Sequence, residues 1–179
     1  MKKLQIILPL ALILCFMVGC QDKAAMAELE EFKVQAEVEE SNIKLIRDMT
    51  KQWDEEGVPS LGRYYSSNCV IHYPGGMDVS GLDAIIEHTS QFRTSFSNMV
   101  HNIEDIIAQG DMVAVRYSAK MTNIGEFQGI PPTKKEVSFT AMEFSRISEG
   151  KIVEVWQDVD ALGVMMQLGM ELKPKEGEK

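Results

Sequence analysis

The chain has 179 residues, of which 45% are hydrophobic and 25% are charged, and it carries a formal net charge of −9. The apolar content excludes a wholly disordered protein, and the length is that of one compact domain with its own core. The negative charge argues against general nucleic-acid binding, because such a surface repels phosphate.

The first nineteen residues have the pattern of a secretory signal peptide. Lys2 and Lys3 precede an apolar run over residues 6–18, which is shorter than the roughly 20 apolar residues of a membrane-spanning helix. The run ends in Met17-Val-Gly-Cys20, which resembles the lipobox of bacterial lipoproteins, whose cysteine carries lipid. We therefore expect residues 1–19 to be removed and Cys20 to be lipidated. The alternative is an ordinary signal peptide that ends at a chance cysteine.

A lipid on Cys20 predicts the location of the protein. It would be anchored to a membrane of the bacterial cell envelope and face the periplasm or the exterior. Because the chain is acidic, basic surface patches would not hold it on anionic lipid, and several acyl chains would be needed. Residues 20–40 are rich in Ala and Glu and contain no Gly or Pro. They predict a helical spacer between the membrane and the domain.

The following sequence predicts an α+β domain over residues 41–170 and a polar tail at 171–179. Apolar residues at helical spacing predict a core helix at 41–56, which Gly57-Val-Pro-Ser60 ends. We then expect a short helix at 61–65, a short strand at 68–74, a third helix from Leu82, and four strands of period 2 at 99–108, 112–121, 136–147 and 152–159. Glu149-Gly150 predicts a tight hairpin, and Asp160 is the predicted cap of a closing helix at 162–168.

Neither disulfide nor metal chemistry is indicated. Removal of the signal peptide leaves Cys20 and Cys69, and Cys69 lies in an apolar stretch that is typical of a buried, inert thiol. The three histidines lack the spacing of metal ligands, and no Gly-rich phosphate loop occurs. We therefore expect no metal and no cofactor.

Several motifs in the second half resemble the SnoaL-like polyketide cyclase (ester cyclase) family. The resemblance covers about residues 41–170, and the segments that carry it are Gly129-Ile-Pro-Pro-Thr133, Phe144-Ser-Arg-Ile-Ser-Glu-Gly-Lys-Ile-Val-Glu-Val-Trp156, Asp160 and Gln167-Leu-Gly169. It implies the nuclear-transport-factor-2-like fold, in which a curved antiparallel sheet packs against N-terminal helices to form a cone with an apolar pocket. It also implies an intramolecular aldol closure that needs no cofactor.

The resemblance fails at the residue that carries the chemistry. The related cyclases have an aspartate directly after the position of Trp156, whereas this chain has Gln157, which does not titrate in the useful range. Glu143 matches a pocket histidine of the cyclases and is the preferred acid/base candidate. Its alternative role is an ion pair with Arg116 or a lysine. Asp158 is a second candidate, but it would reach the pocket only through a bulge or a shifted register.

Strand alternation predicts which side chains line the pocket. Val153, Val155, Gln157 and Val159 share one face of the last strand, together with Phe139 and Glu143 on the strand before it. The other candidates for the wall are Trp53, Tyr64, Tyr73 and Tyr117, and each of these aromatics could equally be core. His72 could donate to a ligand carbonyl or bond to backbone, and His88 is expected on the exposed side of the third helix.

The opposite face of the sheet carries Met142, Phe144 and Trp156, which predicts a covering partner and, by resemblance to the fold, a homodimer. Two functions stay open. The first is a lipid-anchored module that binds a small hydrophobic molecule without the aspartate-based chemistry. The second is a cofactor-free cyclase or isomerase that acts on a carbonyl compound through Glu143 or Asp158.

Overall fold

The computed structural model describes residues 2–171 and 173, with side chains from residue 23 onward. The helices are α1 (Lys2–Glu56), a 3-10 turn (Val58–Ser60), α2 (Leu61–Tyr64), α3 (Leu82–Ser95) and α4 (Ala161–Leu168). The strands are β1 (Tyr65–Tyr73), β2 (Met77–Ser80), β3 (Phe96–Gln109), β4 (Met112–Asn123), β5 (Glu136–Ser148) and β6 (Lys151–Val159).

The chain divides into two units, Met1–Val38 and Glu39–Lys179. The described side chains of the first unit are all on helix α1 and exposed, with Met26, Leu29 and Phe32 among them. The expectations for the signal peptide and for Cys20 lie outside the residues whose side chains are described. Within the part of the chain that the structure describes, no helix has the length and hydropathy needed to span a membrane.

The second unit is built on one six-stranded sheet with the order β2-β1-β6-β5-β4-β3. The four long strands that period 2 predicts are all present, and β3, β4, β5 and β6 pair antiparallel in chain order. The expected antiparallel sheet is present in β3 to β6, but the sheet as a whole is mixed, because β1 pairs with β6 in parallel. The short strand β2 was not predicted. Its four residues are mostly exposed and give no alternating pattern.

Local signals end the elements where they were expected. The carboxylate of Asp160 accepts a hydrogen bond of 2.8 Å from the Gly163 N–H, which confirms its role as the N-cap of α4. Gly169 ends α4 in the left-handed conformation, at φ 109°. Glu149 and Gly150 join β5 to β6 with positive φ at both residues, as a type I′ hairpin turn requires.

A bulge in β6 changes which side chains face the helices. The register of β5 and β6 shifts between Arg146 and Ile147, so that Ile152 is fully buried instead of its neighbour Val153. The prediction that Val153 faces the pocket was therefore wrong. Beyond the bulge, Val155 and Gln157 return to the inner face.

Candidate functional site

A cavity of about 600 Å³ lies between the inner face of the sheet and helices α1, α3 and α4. Most of its wall is apolar, which suits a small hydrophobic molecule. The apolar side chains that line it include Ile46, Met49, Trp53, Ile71, Phe92, Met99, Val115, Met121, Phe139, Val155, Val159 and Val164.

A short polar row crosses the sheet side of this cavity. The Gln157 side chain donates from Nε2 to the Tyr117 hydroxyl at 2.9 Å, and the same nitrogen is 3.5 Å from Glu143 Oε2. The other Glu143 oxygen accepts a 2.8 Å hydrogen bond from the Ser145 hydroxyl. Strands β4, β5 and β6 thus each contribute one hydrogen-bonding side chain to the cavity wall.

Glu143 is a buried carboxyl group, with 7% of its surface exposed. Burial raises its pKa, and the Ser145 hydrogen bond and the electrostatic effect of His101 oppose this only in part. The alternative of an ion pair with Arg116 does not hold, because the Arg116 guanidinium binds Asp105 at 2.6 Å and 2.8 Å. Glu143 is thus placed to stay protonated above the usual range of a carboxyl group and to donate a hydrogen bond.

A second polar pair, which the sequence did not reveal, lies at the cavity wall. Asp54 on α1 accepts from the His101 backbone N–H at 2.8 Å through one oxygen and contacts His101 Nδ1 at 2.6 Å through the other. The His101 side chain is only 10% exposed and lines the cavity. Its ring meets the Tyr117 ring edge-on, with 5.2 Å between centroids.

No sequence motif links these two residues, since 47 positions separate them. Two signals could have suggested the pair. Asp54 directly follows the cavity residue Trp53 near the end of a core helix, and His101 lies two residues before the apolar Ile103 on a strand, so both share one face.

Eight predicted wall residues line the cavity: Trp53, Tyr73, Tyr117, Phe139, Glu143, Val155, Gln157 and Val159. Tyr64 packs instead against the hydrophobic core beside it and is not part of the cavity wall. His88, which was expected on the exposed side of α3, is half-buried, lines the cavity and contacts the Tyr73 ring at 4.9 Å between centroids.

His72 and Asp158 lie on the outer face of the sheet. His72 is bonded to Asp78 at 2.9 Å and to Glu154 at 3.1 Å, and its ring stacks on Trp156. The hydrogen bond to Asp78, followed by that to Glu154, raises the pKa of His72. Asp158 is exposed and pairs in register with Met142, and the bulge in β6 lies too far away to turn it inward. Neither side chain reaches the cavity.

The remaining expectations concern the thiol and metal binding. Cys69 is buried, and burial raises the pKa of its thiol to about 12, so it is the inert core residue that the sequence predicted. Among the described side chains, no group of three or more His, Cys, Asp and Glu residues is placed to hold a metal ion.

Comparison with known proteins supports the resemblance noted in the sequence. A candidate SnoaL-like polyketide cyclase from Jannaschia sp. CCS1 has 17% identity and a TM-score of 0.69, over 75% of this chain and 96% of that one. IdmH from Streptomyces antibioticus, a candidate polyketide cyclase, has 27% identity and a TM-score of 0.64, over 72% of this chain and 99% of its own. An NTF2-like protein of unknown function from Burkholderia pseudomallei has 13% identity and a TM-score of 0.62, over 73% and 98%.

No curated protein matches the sequence. These structural neighbours and the element order define an α+β, nuclear-transport-factor-2-like fold with an open, mixed sheet. The family model for the SnoaL-like polyketide cyclases matches residues 43–168, which is well over half of the chain. The chain therefore belongs to the SnoaL-like polyketide cyclase family.

Proposed function

We propose that the domain binds a small, uncharged and largely apolar molecule that carries a carbonyl or similar oxygen. The observation that carries this proposal is the buried Glu143 carboxyl at the wall of a largely apolar cavity. Within the described residues, no lysine or arginine is bonded to it. A protonated carboxyl group in such a place donates a hydrogen bond to an oxygen of a bound molecule.

The charge of the ligand follows from the same wall. An anion would meet Glu143 without a compensating cation, and a buried charge without a partner is costly. A cation would be attracted to Glu143 only if the carboxyl ionised, which burial opposes. A neutral ligand avoids both costs, and the Tyr117 hydroxyl and the Gln157 amide supply further hydrogen bonds.

Binding can be tested with the uncharged fluorescent probe N-phenyl-1-naphthylamine, whose emission rises in apolar sites. We expect Thr89→Phe, which puts a ring into the cavity wall on α3, to weaken probe binding at least tenfold. Glu87→Phe, at an exposed position of the same helix, is the matched control and should bind as the wild type does. Equal binding by both variants would contradict the proposal. If the probe binds as expected, mass spectrometry of molecules that co-purify with the domain would identify the natural ligand.

A second candidate function is a cofactor-free cyclase or isomerase that acts on a carbonyl compound. It is favoured by the raised pKa of Glu143 and by the 27% identity to IdmH. Of the two carboxylates named for this role, Glu143 is at the cavity and Asp158 is on the outer face. We therefore propose Glu143 alone as the acid/base carboxyl, in place of the family aspartate that Gln157 replaces.

We further propose how the domain is held in the cell. In this proposal residues 1–19 are a signal peptide, Cys20 carries lipid, residues 20–40 are a spacer, and the domain at 41–170 faces the periplasm or the exterior of a bacterial cell. We also propose a homodimer through the outer face of the sheet. Met142 and Phe144 are 56% and 52% exposed there, beside Trp156 on the neighbouring strand.

A further inference from the structure

We infer that Asp54 and His101 form a general-base dyad, in which His101 removes a proton from the carbon beside the carbonyl group of a bound ligand. This inference rests on the proposed function, because it requires a carbonyl compound in the cavity. It adds a catalytic residue that lies outside the family motifs and narrows the ligand to an enolisable ketone or related carbonyl compound.

The geometry at Asp54 decides which nitrogen of His101 is free to act. Both carboxylate oxygens of Asp54 are used by His101, one by the backbone N–H and one by Nδ1. A carboxylate accepts hydrogen bonds, so Nδ1 carries a proton, and in the neutral ring the lone pair is therefore on Nε2. Among the described residues Nε2 has no hydrogen-bond partner, while the ring lines the cavity. A ring held in one tautomer with Nε2 unpaired has the arrangement of a general base.

The burial of the pair argues against a purely surface ion pair. The side chains of His101 and Asp54 are 10% and 19% exposed, whereas the Lys44–Asp48 pair on the same helix is 75% and 48% exposed. A largely buried polar pair whose histidine lines a cavity is placed to act on a bound molecule.

His101 of the dyad and the polar row line the same cavity and are in contact through Tyr117. The His101 ring contacts Tyr117, whose hydroxyl accepts from Gln157, and Gln157 is next to Glu143. In the proposed complex the ligand carbonyl oxygen accepts a hydrogen bond from Glu143 and the carbon beside it faces His101, which lines the same cavity. The inner faces of β3, β4 and β5 thus supply a base and a hydrogen-bond donor on one wall.

The step balances without a cofactor. The C–H bond beside the carbonyl breaks, its proton moves to His101 Nε2, and its electron pair forms an enolate whose oxygen is held by the Glu143 carboxyl. Return of a proton from Nε2 to the same carbon restores the ketone, and return at another position isomerises it. In the first case the reaction is visible only as hydrogen exchange with water.

The inference is tested by deuterium exchange into 2-tetralone, an uncharged bicyclic ketone. In D₂O, 2-tetralone should take up deuterium at the carbon beside its carbonyl faster with the wild-type domain than in buffer alone. The loss of the ¹H NMR signal measures this rate. His101→Gln should lower this protein-dependent rate about 100-fold or more, the usual contribution of a general base. His72→Gln, a histidine on the outer face, is the matched control and should keep the wild-type rate. His101→Gln that binds 2-tetralone and retains exchange would overturn the inference.

Asp54 is a positioning residue in this scheme, and its test needs a signal besides activity. In Asp54→Asn the side-chain amide can donate to Nδ1, so we expect ¹⁵N NMR to show the proton of the His101 ring moving to Nε2, with exchange slowed. Asp48→Asn, on the same helix, should change neither. An unchanged tautomer together with unchanged exchange would overturn the dyad.

Binding and exchange are measured on the same samples, which separates the two proposals. Wild-type protein that binds 2-tetralone without speeding exchange would overturn the dyad and leave the proposed binding function intact. Failure to bind any uncharged apolar probe would overturn the binding function and the dyad that rests on it.

Discussion

Glu143 and Gln157 are register partners on β5 and β6, and Gln157 Nε2 lies 3.5 Å from Glu143 Oε2. By the resemblance noted in the sequence, Gln157 matches the position at which the related cyclases have a carboxylate, and it lies directly beside the Glu143 carboxyl group. The cavity wall thus holds an acidic group although position 157 is an amide. Because the two side chains are this close, a substitution at Gln157 should change the titration of Glu143.

We predict that Gln157→Asp creates a coupled pair of carboxyl groups. Two carboxylates this close in an apolar wall cannot both ionise easily, so the pair should titrate in two separated steps, with one proton retained well above the usual range. Carboxyl ¹³C NMR titration would measure both steps. Two groups that titrate together near the ordinary value of about 4 would contradict the placement of position 157 at the cavity.

Replacement of Glu143 by Gln should change how stability depends on pH. Burial raises the pKa of Glu143 in the folded state, so the folded protein holds this proton more tightly than the unfolded chain does. The resulting stability is complete below the unfolded pKa and is lost as pH rises through the folded pKa. Glu143→Gln has no such proton, so its free energy of unfolding should gain on that of the wild type as pH rises.

Urea unfolding between about pH 4 and about pH 8 would measure this difference, since the range begins near the unfolded pKa of a glutamate. Glu136→Gln, at an exposed position of the same strand, is the control and should show no comparable gain. A Glu143→Gln curve parallel to the wild-type curve over the whole range would show that Glu143 ionises as freely in the folded state as in the unfolded chain.

The sequence predicted most of this architecture, because period-2 patterning, Gly and Asp caps and a Glu-Gly turn are local signals. It did not predict that β1 pairs with β6, since alternation tells which face a residue occupies but not which strand lies next to it. The outward direction of His72 could have been inferred, because Cys69, Ile71 and Tyr73 alternate with it and are apolar or aromatic. The prediction that His72 could reach a ligand did not use this alternation.

The dyad and the bulge had no comparable signal. The approach of Asp54 to His101 depends on how α1 packs on the sheet, because the two residues are 47 positions apart in the sequence. The displacement of Val153 depends on one extra residue in β6. The alternating sequence Val153-Glu-Val155 does not show whether a bulge is present there. Both features depend on tertiary packing and strand pairing, and both determine which side chains line the cavity.

Asn123 should be the most costly polar residue to remove from the end of β4. It is fully buried, donates to the carbonyl groups of Ser95 and Gly125, and accepts from the N–H and hydroxyl of Thr133. Asn123→Ala leaves buried donors and acceptors unpaired, at about 1–3 kcal/mol each, so we expect a loss of about 2–4 kcal/mol in urea unfolding. Asn102→Ala, on the exposed face of β3, should cost less than about 0.5 kcal/mol.

The lipid anchor makes a prediction about fractionation. Cys20→Ala removes the thiol that would carry the lipid, so the variant should leave the membrane fraction while the wild type remains in it. Metabolic labelling with a radioactive fatty acid should mark the wild type alone. Cys69→Ala is the control, because that thiol is buried in the domain, and it should be labelled as the wild type is. A Cys20→Ala variant that stays in the membrane fraction would rule out this anchor.

The outer face of the sheet should determine the oligomeric state. Phe144 is 52% exposed beside Met142 and Trp156, and a dimer through this face would bury all three. Phe144→Glu puts a charge at the centre of that interface, and an unpaired charge there should weaken association at least 100-fold, or by about 3 kcal/mol. Sedimentation velocity of the domain without its first 40 residues would measure the change. Met166→Glu, on α4 at a similar exposure of 56%, is the control and should sediment as the wild type does. A wild-type domain that is monomeric at high concentration would refute the dimer.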